Sequence, residues 1–170
     1  MKDGWRAGKV GLAIILSVAA IAGLTWTAVS ADGATALVIR LPDGTELERL
    51  ALGEGDGFAL RYRNSLYRSL VEERFEITER GVIRLVGLAA DELAVLEEYY
   101  AIDHPARPAR DGDARAWVAE PALEVALTSL TVAATDLGER TLLVGDRPPL
   151  ELWRLVADGA ASIVIEVDAR

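Results

Sequence analysis

The chain has no cysteine, a single histidine, a single methionine and two lysines, Lys2 and Lys9. Without cysteine there is no disulfide framework and no thiolate-ligated metal site. The lack does not fix the compartment, since many exported domains carry no disulfide. One histidine leaves one candidate imidazole base for a Ser-His-Asp arrangement. That residue, His104, stands before Pro105 in a polar stretch, and no Gly-x-Ser-x-Gly elbow presents Ser65, Ser69 or Ser129 as a nucleophile. His104 therefore reads as an exposed loop residue. Gly-rich phosphate loops, zinc patterns and dinucleotide fingerprints are missing too. Asp111-Gly-Asp113 offers two carboxylates, too few for calcium, which takes six to eight oxygens. No internal repeat and no low-complexity tract occurs. These absences lead us to expect no enzyme activity, no cofactor and no metal.

Positive charge is scarce. The net charge is −9, and Lys2, Arg6 and Lys9 sit in the first 31 residues with Asp3 alone against them. The remainder holds 15 basic and 26 acidic residues, a net of −11. Such a surface argues against nucleic acid, whose phosphates need Lys and Arg. Every base after Lys9 is arginine. A GC-rich genome accounts for that bias. So does life in high salt, where repulsion between like charges is screened.

Residues 10 to 31 contain no charge. About 20 apolar residues span a bilayer. Trp5 and Trp26 lie near the two ends of the run, as interfacial aromatics do, and the preceding basic residues keep the N-terminus cytoplasmic. A cleaved signal peptide is the rival reading, with Val29-Ser-Ala31 as its cleavage site. The run is longer than a usual signal-peptide core, which favours an uncleaved single-pass anchor. Either way, residues 32–170 form an extracytoplasmic domain.

From Thr35 onward the texture is that of short strands and turns. Leu37, Ile39 and Leu41 alternate, Pro42-Asp-Gly44 turns the chain, and 46–52 returns. Residues 53–57 are a Gly-rich loop. A hairpin follows over 58–77, then a turn at Glu79-Arg-Gly81 and a strand over 82–88. Residues 90–100 fit either a short helix, through Leu93, Leu96 and Tyr100, or a strand; the helix is favoured. Residues 103–113 read as a polar loop. Near Thr128-Ser129 the alternation changes phase, which implies a bulge or a break. A strand over 140–144, a turn at Gly145–Pro148, a short strand or single turn over 150–155, a turn at Asp158-Gly159 and a closing strand through Ile163, Ile165 and Val167 complete the chain. About eight to ten short strands with turn signals between them predict an all-β, antiparallel sandwich or barrel. Trp117 and Trp153 are expected in its core.

The stretch 58–77 is the most informative. Phe58, Leu60, Tyr62 and Asn64 share one parity, and Val71, Glu73, Phe75 and Ile77 share another, opposite Glu72, Arg74 and Glu76. Successive strand side chains point to opposite faces. Asn64 and Glu73 thus fall on the apolar side, where a carboxylate costs several kcal/mol unless paired or protonated. With Ser65 close by, Tyr62, Asn64, Ser65 and Glu73 make a candidate polar cluster, either a small ligand pocket or a network that fixes hairpin register.

In this stretch Tyr62, Ser65, Val71, Glu73 and Phe75 match a pattern of Tyr, any residue, His-Ser-Val-Glu, two residues, Pro-Val, any residue, Glu, any residue, aromatic. The chain here resembles the domain-of-unknown-function family 1850, small exported prokaryotic proteins whose genes often lie beside those of TAXI-type TRAP transporters. Asn64 stands where the family has His, Tyr67 where it has Glu and Leu70 where it has Pro. The likeness resumes over about 127–167, whereas 99–105 has no counterpart of the family's Phe-Gly-Ala-Gly-Leu-Pro segment. The resemblance implies a non-catalytic, membrane-tethered accessory, with TRAP transporter subunits or a solute-binding protein as partners. An exported small-ligand-binding β barrel without such partners is the alternative.

Overall fold

The computed structural model describes residues 35–53, 55–156 and 161–169. They belong to one compact unit, Ala31–Arg170. The uncharged run at 10–31 and the Asp158-Gly159 turn lie outside the described residues.

The domain is all-β and its strand pairings are antiparallel. β1 (Ala36–Arg40) and β2 (Glu46–Ala51) form the first hairpin, turned at Gly44. β1 also pairs with the closing strand β12 (Ser162–Asp168), which pairs with β9 (Ser129–Ala133). These four make one sheet in the order β2-β1-β12-β9. The second sheet is built on β3 (Gly57–Arg63), β4 (Leu70–Ile77) and β5 (Ile83–Ala90). β10 (Thr141–Leu143) and β11 (Leu150–Glu151) extend it beyond β3. β7 (Trp117–Ala119) and β6 (Arg107–Pro108) extend it beyond β5, and β8 (Ala126–Leu127) pairs with the start of β5. Helix α1 (Leu93–Tyr99) follows β5, and the single turn α2 (Leu152–Leu155) follows β11.

Several sequence expectations resolve here. The ambiguous stretch at 90–100 is helical, because Val95 and Leu96 bury one face of α1 against the second sheet. The phase change at 128–129 is a break. β8 ends in one sheet and β9 begins in the other, so the chain passes between the sheets at the exposed Thr128. Residues 150–155 are both readings in succession, a two-residue strand and then a turn of helix. Twelve strands are present among the described residues, more than eight to ten, because β6, β8 and β11 are two-residue pieces with no alternation to read. β6 lies inside the stretch expected to be a plain loop.

Apolar side chains of both sheets enclose the main core. Leu37, Ile39, Ile163 and Ile165 from the first sheet join Phe58, Leu60, Phe75, Ile83 and Leu142 from the second. The Phe58 and Phe75 rings stack at 4.8 Å across the β3–β4 pair. Gly57 is required beside them, since a Cβ there would collide with the Phe75 carbonyl oxygen. A second core lies under α1, where Val71, Leu88 and Ala90 meet Val95 and Leu96. Trp117 is half-buried against this second core, whereas the half-buried Trp153 carries the Arg154 guanidinium on its ring at 4.6 Å.

Candidate functional site

The β3–β4 register places Leu60 opposite Glu73 and Tyr62 opposite Val71. Glu73 therefore shares the inner face of the sheet with Phe75 of the main core and Val71 of the second core. It sits at the seam between them. A one-residue slip would turn it outward, so the pairing fixes its position.

Tyr100, just past α1, reaches this seam. Its hydroxyl donates to Glu73 Oε1 at 2.8 Å and lies 2.6 Å from the Tyr62 hydroxyl. Tyr100 has one proton and gives it to the carboxylate, so Tyr62 is the donor in the tyrosine pair. The result is a chain running Tyr62 to Tyr100 to Glu73. Burial pushes the Glu73 carboxyl above its usual range, against the Tyr100 hydrogen bond and the positive charge of Arg140. Burial likewise raises both phenols. The Arg140 guanidinium lies 4.8 Å from the Tyr62 ring centroid and donates to the Ala133 carbonyl at 3.3 Å.

The four residues singled out from the sequence are not all brought together. Tyr62 and Glu73 share the chain of hydrogen bonds through Tyr100. Asn64 is buried, but it lies past the end of β3 and serves the β3–β4 turn. Its side-chain oxygen accepts from the backbone N–H groups of Leu66 and Tyr67 at 2.9 and 3.0 Å. Its own N–H donates to the Ser69 carbonyl, and its carbonyl accepts from Arg68. Ser65 is exposed in that turn. The alternation that carried Asn64 into the cluster, with Ser65 beside it, stops with β3 at Arg63, where the backbone begins to turn.

Tyr100 and Arg140 are the members missed by sequence reasoning. The helical spacing of Leu93, Leu96 and Tyr100 did signal that Tyr100 faces inward. Arg140 carried no such signal, since its place depends on β10 pairing with β3.

The opposite face of the same hairpin is covered as well. Glu72, placed by its parity on the face opposite the apolar side chains, is among the two buried polar residues of the described chain. Arg74 Nε donates to its Oε1 at 2.9 Å, and Arg61 lies 3.6 Å from its Oε2. Arg74 continues to Asp113 with two hydrogen bonds of 3.1 and 2.8 Å. Arg115 pairs with Asp91 at 3.0 Å. Segment 109–116 thus straps over this face, which explains why Glu72 is covered. The Arg74 hydrogen bonds hold Asp113 below the usual carboxylate range. Asp113 is a salt-bridge partner, and the Asp111-Gly-Asp113 stretch is a turn with Gly112 at φ +94°.

His104 is exposed and, among the described residues, lies 3.3 Å from its neighbour Asp103. No described hydrogen bond links it to Ser65, Ser69 or Ser129. Among the described residues, no three His, Cys, Asp or Glu side chains group to hold a metal. No helix among them is long and apolar enough to cross a membrane.

Beside the strap lies a cleft of about 310 Å³ lined by Arg74, Arg107 and Arg110 and by the carboxylates Asp113 and Glu120, with Val86, Leu88 and Val118 as its apolar part. Arg107 contacts Glu120 at 3.4 Å.

No family model, no curated protein and no solved structure matches the chain.

Proposed function

We propose that the chain is a membrane-tethered, extracytoplasmic, non-catalytic accessory protein associated with a TRAP-type transport system. The uncharged run at 10–31, preceded by Lys2, Arg6 and Lys9, carries the tether and the orientation. The acidic β domain behind it is the part offered to partners. The transporter association comes from the resemblance over 62–75 and 127–167. Supporting a non-catalytic role, Glu73 accepts from Tyr100, which is itself held by Tyr62, and the contact joins the segment after α1 to the central hairpin. A network of this kind stiffens a scaffold.

Co-purification of the full chain from native membranes in mild detergent tests this reading. Transporter membrane subunits or a solute-binding protein are expected in the eluate. Their complete loss, with the tethered chain itself recovered intact, sinks the association.

The same cleft favours a second reading, an exported binder of a small carboxylate held by Arg110, since Asp113 and Glu120 already pair with Arg74 and Arg107. Guanidinium groups pair with carboxylates in bidentate fashion. A thermal-shift series with small mono- and dicarboxylates checks it, because a ligand that binds only the folded state raises its melting temperature. The rise should vanish in Arg110→Ala. No shift with any carboxylate at millimolar concentration removes this alternative.

A further inference from the structure

The turn between β3 and β4 spends a buried side chain on an exposed surface. Asn64 is 6% exposed, and all of its described hydrogen bonds hold the turn. What the turn presents is apolar. Leu66 is 67% exposed, and Tyr67 lies beside it. Tyr67 is itself fixed, with its hydroxyl donating to Glu98 Oε2 at 2.8 Å and its ring edge-on to Tyr99 at 6.4 Å. Tyr99 is half exposed at 51%. Leu137, in the segment whose Gly138 carbonyl accepts from Arg63 N–H, is exposed at the same end of the sheet. Arg68 adopts a positive φ of 55° to close the turn, a conformation uncommon outside glycine. Exposed single leucines need no explanation. A rigid Tyr beside an exposed leucine and a second Tyr, in a turn held by a buried asparagine, is different: pre-ordered aromatics lose little freedom on binding and dominate interface energetics.

Charge decides the occupant. Glu92, Glu97 and Glu98 lie on or beside α1, the helix that carries Tyr99, and Glu98 accepts from the Tyr67 hydroxyl. Arg68 stands in the turn, and Arg63 is paired with Glu139 at 3.4 Å. An acidic rim is repelled by anionic lipid and by an identical copy of itself.

We propose that the β3–β4 turn, through Leu66, Tyr67 and Tyr99, docks a soluble extracytoplasmic protein that offers an apolar pocket with a basic rim. This rests on reading residues 10–31 as the tether of an exported domain.

The test starts from a photo-crosslinking residue placed at position 66 in the full chain in its native membrane, with products identified by mass spectrometry. A single soluble exported protein is expected. Purified, it should bind the full chain in nanodiscs and dissociate more readily as salt rises. Leu66→Ser and Tyr67→Ala should each weaken binding about ten-fold or more, while Leu123→Ser, an equally exposed leucine away from the turn, leaves it unchanged. Circular dichroism and melting temperature should not move in these variants. Crosslinks only to phospholipid, only to a second copy, or to nothing overturn the proposal, as does a Kd indifferent to both substitutions. Binding through the turn to a protein unrelated to transport leaves the proposal standing and overturns the transporter association alone.

Discussion

Tyr100 donates its hydroxyl proton to Glu73 Oε1 at 2.8 Å, from the end of a helix to the inner face of a strand 27 residues earlier. The pair joins two apolar clusters that would otherwise meet only through side-chain packing. Removing either partner leaves a polar group at the seam. Tyr100→Phe strips the half-buried carboxylate of its described hydrogen bond, and we expect a loss of about 1–3 kcal/mol in urea unfolding. Glu73→Ala should cost a similar amount, whereas Glu73→Gln keeps an acceptor and should cost less. The combined Tyr100→Phe/Glu73→Gln variant should lose less than the sum of the single changes, because the two residues interact. Strict additivity would show that the contact contributes nothing.

Acidity offers a separate check on Glu73. Its carboxyl is raised in the folded state by burial. The folded protein therefore binds the Glu73 proton more tightly than the unfolded chain, and stability from this group falls as pH rises from the unfolded value of about 4.5 through the higher folded one. Asp113 works in the opposite sense: Arg74 lowers its pKa, so its contribution is present above the ordinary carboxylate range and lost as pH falls through the depressed value. Comparing wild type with Glu73→Gln isolates the first effect. The advantage of wild type over the variant should shrink as pH rises through the acid range. A constant difference across pH 4 to 7 would show Glu73 titrating as if free in water.

On the other face, Arg74 is the residue that Glu72 depends on. With Arg74→Met, buried Glu72 retains only Arg61, at 3.6 Å. We expect a loss of about 2 kcal/mol, as for hydrogen bonds to charged groups. Asp113→Asn, whose partner Arg74 is part-exposed, should cost less than about 1 kcal/mol. Hydrogen exchange should rise across 109–116 in both variants, since both release the strap. Unchanged exchange in that segment would separate the strap from the Arg74 contacts.

Membrane orientation has its own test. A reporter fused after Arg170 that works only outside the cytoplasm should be active, because the basic residues precede the uncharged run. Activity of a cytoplasm-specific reporter at that position would overturn the orientation. A mature N-terminus at Asp32 would replace the anchor with a cleaved signal peptide.

The sequence alone determined the alternation of the central hairpin, and with it the inward placing of Tyr62, Glu73 and Phe75. Period-two patterning is local, and a strand with one apolar face can sit only one way. The Gly and Asp turn signals fixed most strand ends for the same reason: Gly44, Gly81 and Gly145 take positive φ values that favour glycine. The tertiary structure decided the rest. Alternation ends where the backbone turns, so Asn64 holds a turn instead of lining a pocket. Parity puts Glu72 on the face away from the core, and only segment 109–116, some forty residues later in the chain, brings Asp113 to Arg74 and covers it. Arg140 approaches Tyr62 only because β10 pairs with β3. Period and turn chemistry are written in neighbouring residues. Which distant segment covers a given face depends on the packing of the whole chain, and no local pattern records it.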